Sequence, residues 1–195
     1  MIQNLCIYCG SSDKVRPQYL EAAAKMGRAL AQRNMRLIYG AGSTGLMGAV
    51  ADAALSNGAE VIGVLPQMFH TPQLAHTRLT RLEIVDSMHT RKARLAELAD
   101  AFVALPGGFG TFDEWFEIIT WAQIGLHCKP IGLLNSHGYY DPLLALVEHA
   151  NREGMIYSEH SRLFVQAAEP DALLDALEEF ERPSGLERWV ERPSF

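Results

Sequence analysis

Short apolar runs and amphipathic segments take turns along this 195-residue chain. "IQNLCIYC" precedes "YLEAAAKMGRALAQRN", "RLIYG" precedes "LMGAVADAALSNG", and "EVIGVLP" and "LEIVD" precede "RKARLAELA". The pattern continues with "AFVALP" before "DEWFEIITWAQIG", "PIGLLN" before "DPLLALVEHANREG", and "LFVQA" before "PDALLDALEEF". Several of the short runs are apolar throughout and rich in Val, Ile and Leu, as strands covered on both faces must be. Strand and helix in alternation predict an α/β fold, a Rossmann-like three-layer sandwich with a mainly parallel sheet of about six or seven strands.

With 48% hydrophobic residues the chain has material for one sizeable core, so a single domain is expected over 1–182, followed by a tail, 183–195. That tail carries Trp189, Val190 and Phe195, and reads either as a frayed end or as an arm docked on the body or on another subunit. Between the strand patterns, "PQMFHTPQLAHTRLT" at 66–80 has no clear period, and long irregular segments of this kind are often lids or binding loops. A net charge of −6 argues against nucleic acid or an anionic membrane as partner, and no apolar stretch of 20 residues is present to span a bilayer. Three cysteines, Cys6, Cys9 and Cys128, and an N-terminus without signal-peptide zones point to a reducing cytoplasm. Cys6 and Cys9 have C-x-x-C spacing inside a strand pattern without a second pair, so neither a metal site nor another cofactor is called for.

In a parallel sheet the ligand site lies outside the C-terminal strand ends, where loops enter helices. Three such loops are small and glycine- or hydroxyl-rich: Gly10-Ser11-Ser12, Gly40-Ala41-Gly42-Ser43-Thr44-Gly45, and Pro106-Gly107-Gly108-Phe109-Gly110-Thr111. Together they suit a phosphate, since helix starts offer unpaired N–H groups and a positive dipole end. The second loop matches G-x-G-x-x-G, but a dinucleotide site places that motif after the first strand, with an acid at the end of the next. Here it follows the second strand, and Glu60 stands before "VIGVLP" rather than after it.

Thr111-Phe112-Asp113-Glu114 reads as a capping box, with Thr111 as N-cap and Glu114 reaching back. That role does not require the glycines before it, and a carboxylate beside an anion cradle more naturally faces a neutral or cation-developing part of a phosphorylated substrate. Upstream, Asp86 or Ser87 is a fair N-cap for a helix whose first turns hold His89, Arg91, Lys92 and Arg94. Cations there oppose the helix dipole and need an anion: solvent, a ligand phosphate, or Glu114.

Pro106-Gly107-Gly108-Phe109-Gly110-Thr111-Phe112-Asp113-Glu114, a match to P-G-G-x-G-T-x-x-E, together with Met88-His89-Thr90-Arg91-Lys92, resembles the Lonely Guy family of cytokinin riboside 5′-monophosphate phosphoribohydrolases. The likeness extends from Cys9-Gly10-Ser11-Ser12 through Gly42-Ser43-Thr44-Gly45-Leu46-Met47-Gly48 to Gly138-Tyr139-Tyr140-Asp141-Pro142. It implies a Rossmann-like homodimer that hydrolyses the N-glycosidic bond of AMP or an N6-modified AMP to free base and ribose 5-phosphate. Some proteins of this kind have carried a lysine decarboxylase label, but no pyridoxal-phosphate lysine motif stands here to support it. The resemblance places the catalytic pair on Arg91 and Glu114. Substrate contacts fall on Lys92, Gly107, Gly108, Phe109, Gly110, Thr111 and Thr120, with Ser11, Gly42, Ser43 and Gln73 lining the site. Thr120 also reads as a core Thr bonded to its own helix. Gln73-Leu74-Ala75-His76 departs from a family pattern that commonly has Glu before the Ala-His pair; an amide still hydrogen-bonds but cannot stabilise charge. Two other classes fit the sequence less closely: a nucleotide or molybdenum-cofactor carrier without turnover, and a dinucleotide-dependent enzyme.

Overall fold

A computed structural model describes residues 1–71 and 73–186 of the chain. Its strands and helices run β1 (Asn4–Tyr8), α1 (Pro17–Gln32), β2 (Arg36–Tyr39), α2 (Gly45–Ser56), β3 (Val61–Pro66), β4 (Arg81–Val85) and α3 (Met88–Leu98). They continue with β5 (Ala101–Ala104), α4 (Phe109–Gln123), β6 (Ile131–Leu134), α5 (Asp141–Arg152), β7 (Val165–Ala167) and α6 (Pro170–Glu178). All seven strands join one parallel sheet in the order β4-β3-β2-β1-β5-β6-β7.

Alternation along β1 sends side chains to both faces. Leu5 and Ile7 join Met26, Leu30, Val50 and Leu173 under α1, α2 and α6, while Cys6 and Tyr8 join Leu95, Trp115 and Ile118 under α3 and α4. The fully apolar β3 and β5 patterns are explained by this double coverage. It also separates the cysteines: Cys6 and Cys9 fall in opposite core layers, and burial pushes both thiols well above their usual range.

The irregular segment at 66–80 has a topological cause. β3 and β4 are adjacent and parallel, so the chain must return the full strand length between them. Here the crossover is a loop with one short helical turn, Gln67–Phe69, in place of a full helix. The tail residues Trp189, Val190 and Phe195 lie outside the described residues.

Strand order reverses between β1 and β5, because β1 leads outward to β2 while β5 begins the other wing. Ligands in open parallel sheets bind at such a point, outside the C-terminal strand ends. The loops leaving β1 and β5 are Gly10-Ser11-Ser12 and Pro106-Gly107-Gly108, and the Gly10 N–H donates to the Pro106 carbonyl at 3.1 Å.

Candidate active site

A cleft of about 820 Å³ opens at this edge. The β1 loop supplies Ser11, Ser12, Lys14 and Arg16, and α1 adds Tyr19. Gly40, Leu46 and Met47 form one flank; Met88 and Arg91 come from α3, and Gly107 through Thr111 with Glu114 from the start of α4.

The start of α4 differs from a capping box. Gly108 is the N-cap, three residues earlier than Thr111, and no side chain bonds to the helix end. Extended backbone at Gly108 (φ −103°, ψ −152°) lets the helix begin directly after the Pro106-Gly107 turn, which puts Thr111 inside the first turn. Thr111 is buried against Gly107, where an added Cβ would strike the Thr111 hydroxyl. Among the described residues, the N–H groups of Gly107 through Thr111 have no hydrogen-bond acceptor. A Cβ on Gly108 or Gly110 would meet nothing within 4 Å, so internal packing does not require glycine at either place. Unpaired donors, the positive end of a helix of 15 residues and open space above two glycines make an anion cradle.

Glu114, freed from the cap, points to α3. Its Oε1 accepts from Arg91 Nη1 at 3.0 Å, with side-chain exposures of 9% and 13% that make this a largely desolvated pair. Arg91 Nε donates to the Val64 carbonyl at 3.2 Å, and a Cβ on Gly40 would land on the guanidinium. Gly40 is therefore glycine to admit Arg91. Burial raises the Glu114 carboxyl above the usual carboxylate range, with Arg91 opposing the rise. α3 itself starts at Ser87, whose Oγ accepts from Thr90 N–H at 3.2 Å.

The cations that crowd this helix start find protein anions. Lys92 Nζ lies 3.1 Å from Asp113 and 2.9 Å from Glu117. Burial works to lower the Lys92 pKa, but the two carboxylates outweigh it and the net shift is upward. Arg94 pairs with Glu83 and Glu97.

Of the residues expected at the site, Ser11, Arg91, Gly107, Gly108, Phe109, Gly110, Thr111 and Glu114 line the cleft. Lys92, Gly42, Ser43, Gln73 and Thr120 do not. Ser43 spends its hydroxyl on the Gln73 and Leu74 carbonyls and its N–H on Leu74, and Gly42 bridges Ala75. These contacts seat the β3–β4 crossover on the start of α2. His76 completes the seat: it is buried, accepts from Arg78 N–H and contacts Asp52 at 3.1 Å. Thr120 donates to the Phe116 carbonyl at 2.7 Å on the exposed side of α4, so it is bonded to its own helix but does not lie in the core. The cleft also contains Lys14, Arg16, Tyr19 and Tyr139, to which sequence reading assigned no role. Tyr139 stood inside a recognised stretch, but nothing local says that it folds back onto the Gly107 turn.

The fold is thus a Rossmann-like α/β sandwich whose switch-point cleft brings the unpaired N–H groups at the start of α4 beside a buried Arg–Glu pair. Residues 47–177 match the family model described as "Possible lysine decarboxylase". A cytokinin riboside 5′-monophosphate phosphoribohydrolase of Arabidopsis thaliana is 44% identical over 179 residues, 92% of this chain and 82% of that protein. One from Oryza sativa subsp. japonica is 43% identical over 178 residues, 91% of this chain and 74% of that protein. Among solved structures, the molybdenum cofactor binding protein of Rippkaea orientalis superposes with a TM-score of 0.69 at 18% identity, over 92% of this chain and 97% of that one. That likeness is one of fold. The chain belongs to the Lonely Guy family of cytokinin riboside 5′-monophosphate phosphoribohydrolases, the family whose model carries the older decarboxylase description.

Proposed function

We propose that the protein hydrolyses the N-glycosidic bond of a nucleoside 5′-monophosphate, AMP or an N6-modified AMP, releasing the base and ribose 5-phosphate. The observation that carries this reading is the buried Arg91–Glu114 pair in the same cleft as the unpaired N–H groups of Gly107–Thr111. Breaking the bond to the base builds positive charge on the ribose, as in glycoside hydrolysis. The 5′-phosphate sits on the N–H cradle, which fixes the sugar. Glu114, as carboxylate, stabilises the developing cation and orients the water that adds its oxygen to the anomeric carbon, while the departing base takes up a proton. Arg91 holds Glu114 in place and favours its ionised form against the burial that raises its pKa.

Residues 1–182 act as one catalytic unit, working in the cytoplasm as a homodimer. Phe116, Ile124 and Leu126 are 42%, 40% and 67% exposed along and just beyond α4, and such an apolar run supports pairing through that helix. Incubation with AMP, other nucleoside monophosphates and N6-prenyl AMP, followed by chromatography, tests the activity. Free base and ribose 5-phosphate are expected; nucleotide recovered intact after long incubation would instead favour a carrier.

A further inference from the structure

The turn that carries the cradle is held from behind. Three successive carbonyls each accept a hydrogen bond, two from the turn after β6 and one from the loop after β1. Leu105 O is bonded by the Tyr140 hydroxyl at 2.6 Å, Pro106 O by the Gly10 N–H at 3.1 Å, and Gly107 O by the Tyr139 hydroxyl at 2.5 Å. The donors that follow, Gly107 to Thr111, are the ones without an acceptor among the described residues. A peptide between two glycines is the easiest in a chain to rotate as a unit, because neither flank has a Cβ to restrict φ and ψ. The Gly107–Gly108 peptide is planar, so fixing its carbonyl also fixes the Gly108 N–H, which points the opposite way.

Tyr139 is itself well held. Its ring makes edge contacts with Tyr19 and Tyr140 at centroid distances of 5.4 and 4.9 Å, and Tyr140 N–H donates to Asn135 Oδ1 at 2.7 Å. Burial and the nearby Tyr19 raise the Tyr139 phenol, which keeps it a donor.

We propose that Tyr139 is a positioning residue for substrate: by locking the Gly107 carbonyl it aims the Gly108 N–H at the 5′-phosphate and spares the nucleotide the cost of ordering a diglycine peptide on binding. This rests on the hydrolase reading above. Tyr140, whose hydroxyl holds the Leu105 carbonyl two peptides before the one Tyr139 holds, is the internal control, being 1% exposed and structural.

The test compares the wild type with Tyr139→Phe and Tyr140→Phe in AMP hydrolysis, in inhibition by ribose 5-phosphate and adenine, and in thermal melting. Tyr139→Phe is expected to raise the AMP KM and the ribose 5-phosphate inhibition constant about tenfold, the scale of one charge-assisted hydrogen bond. Its kcat, its inhibition by adenine and its melting temperature stay near the wild type. Tyr140→Phe lowers the melting temperature and leaves both constants near the wild type. An unchanged KM in Tyr139→Phe overturns the proposal, as does equal weakening of adenine and ribose 5-phosphate, or the same KM shift in Tyr140→Phe. A wild type that turns over no nucleotide removes the hydrolase reading and the clamp with it, whereas an active wild type with an indifferent Tyr139→Phe removes the clamp alone.

Discussion

Two glycine-rich turns lie side by side at the edge of the sheet, and they are glycine-rich for different reasons. In the turn from Gly40 to Gly45 the protein's own atoms fill the space. A Cβ on Gly40 would meet Arg91, one on Gly42 would meet Met47, and Gly45, at φ +59°, would drive its Cβ into the backbone of Gly10–Ser12. Two first-turn donors of α2 are also consumed, since Leu46 and Met47 N–H both reach the Gly10 carbonyl, at 2.9 and 3.3 Å. In the turn from Pro106 to Thr111 only Gly107 is packed; Gly108 and Gly110 face open space, and the N–H groups of Gly107 through Thr111 have no acceptor among the described residues. A glycine motif alone therefore does not mark a phosphate site. The neighbours that a Cβ would meet, and the carbonyls already bonded to the helix start, separate a packed turn from a ligand cradle.

The largest expected effect lies on the carboxylate beside the second turn. Glu114→Gln should reduce kcat for AMP by about 10²–10³-fold, the scale of removing a charge-stabilising group, with a near-native melting temperature. A variant that keeps both stability and turnover would break the assignment. Burial places the Glu114 carboxyl above the ordinary carboxylate range, and the ionised form is the one required, so wild-type kcat/KM should fall as pH drops through that raised value. The stability sign is opposite. The native state binds the Glu114 proton more tightly than the unfolded chain, so this residue's stabilising contribution is fullest below the unfolded carboxylate pKa. It declines as pH rises through the folded value. Urea titrations across pH should show that decline in the wild type and lack it in Glu114→Gln.

Next in size, Gly45→Ala should cost about 2 kcal/mol in urea unfolding, from a left-handed backbone and a collision with Gly10–Ser12. Gly108→Ala should leave unfolding within about 0.5 kcal/mol, because its Cβ meets no neighbour, yet raise the AMP KM about tenfold if the proposed phosphate occupies that open space. Equal stability losses at 45 and 108 would erase the contrast between the turns. The smallest effect is expected at Gly110→Ala: a gain of about 0.5–1 kcal/mol by calorimetry, since alanine favours a helix in its first turn and meets no neighbour there.

Much of this architecture is legible along the chain. Apolar runs alternating with amphipathic segments have one economical solution, and the parallel sheet follows from it. The family resemblance likewise depends on local strings. The Thr111–Glu114 spacing is a weaker guide: T-x-x-E specifies a capping box only if the helix starts at the Thr, and the Gly108 backbone starts it earlier. Ser43 and Gln73 illustrate a second limit. A polar residue in a loop is equally suited to a ligand or to another loop, and here the crossover between β3 and β4 takes Ser43.

Sequence by itself determined the elements, their parallel order of assembly in kind, and which charged groups stand at the helix starts, because periodicity and helix-end chemistry act over a few residues. Tertiary structure alone decided which of those groups meet. Arg91 and Glu114 are 23 positions apart and Tyr139 is 32 from Gly107, and such pairs form only when the sheet brings the segments that follow β4, β5 and β6 to one edge. Whether a glycine serves packing or ligand is decided at the same level, since it depends on atoms contributed by distant segments.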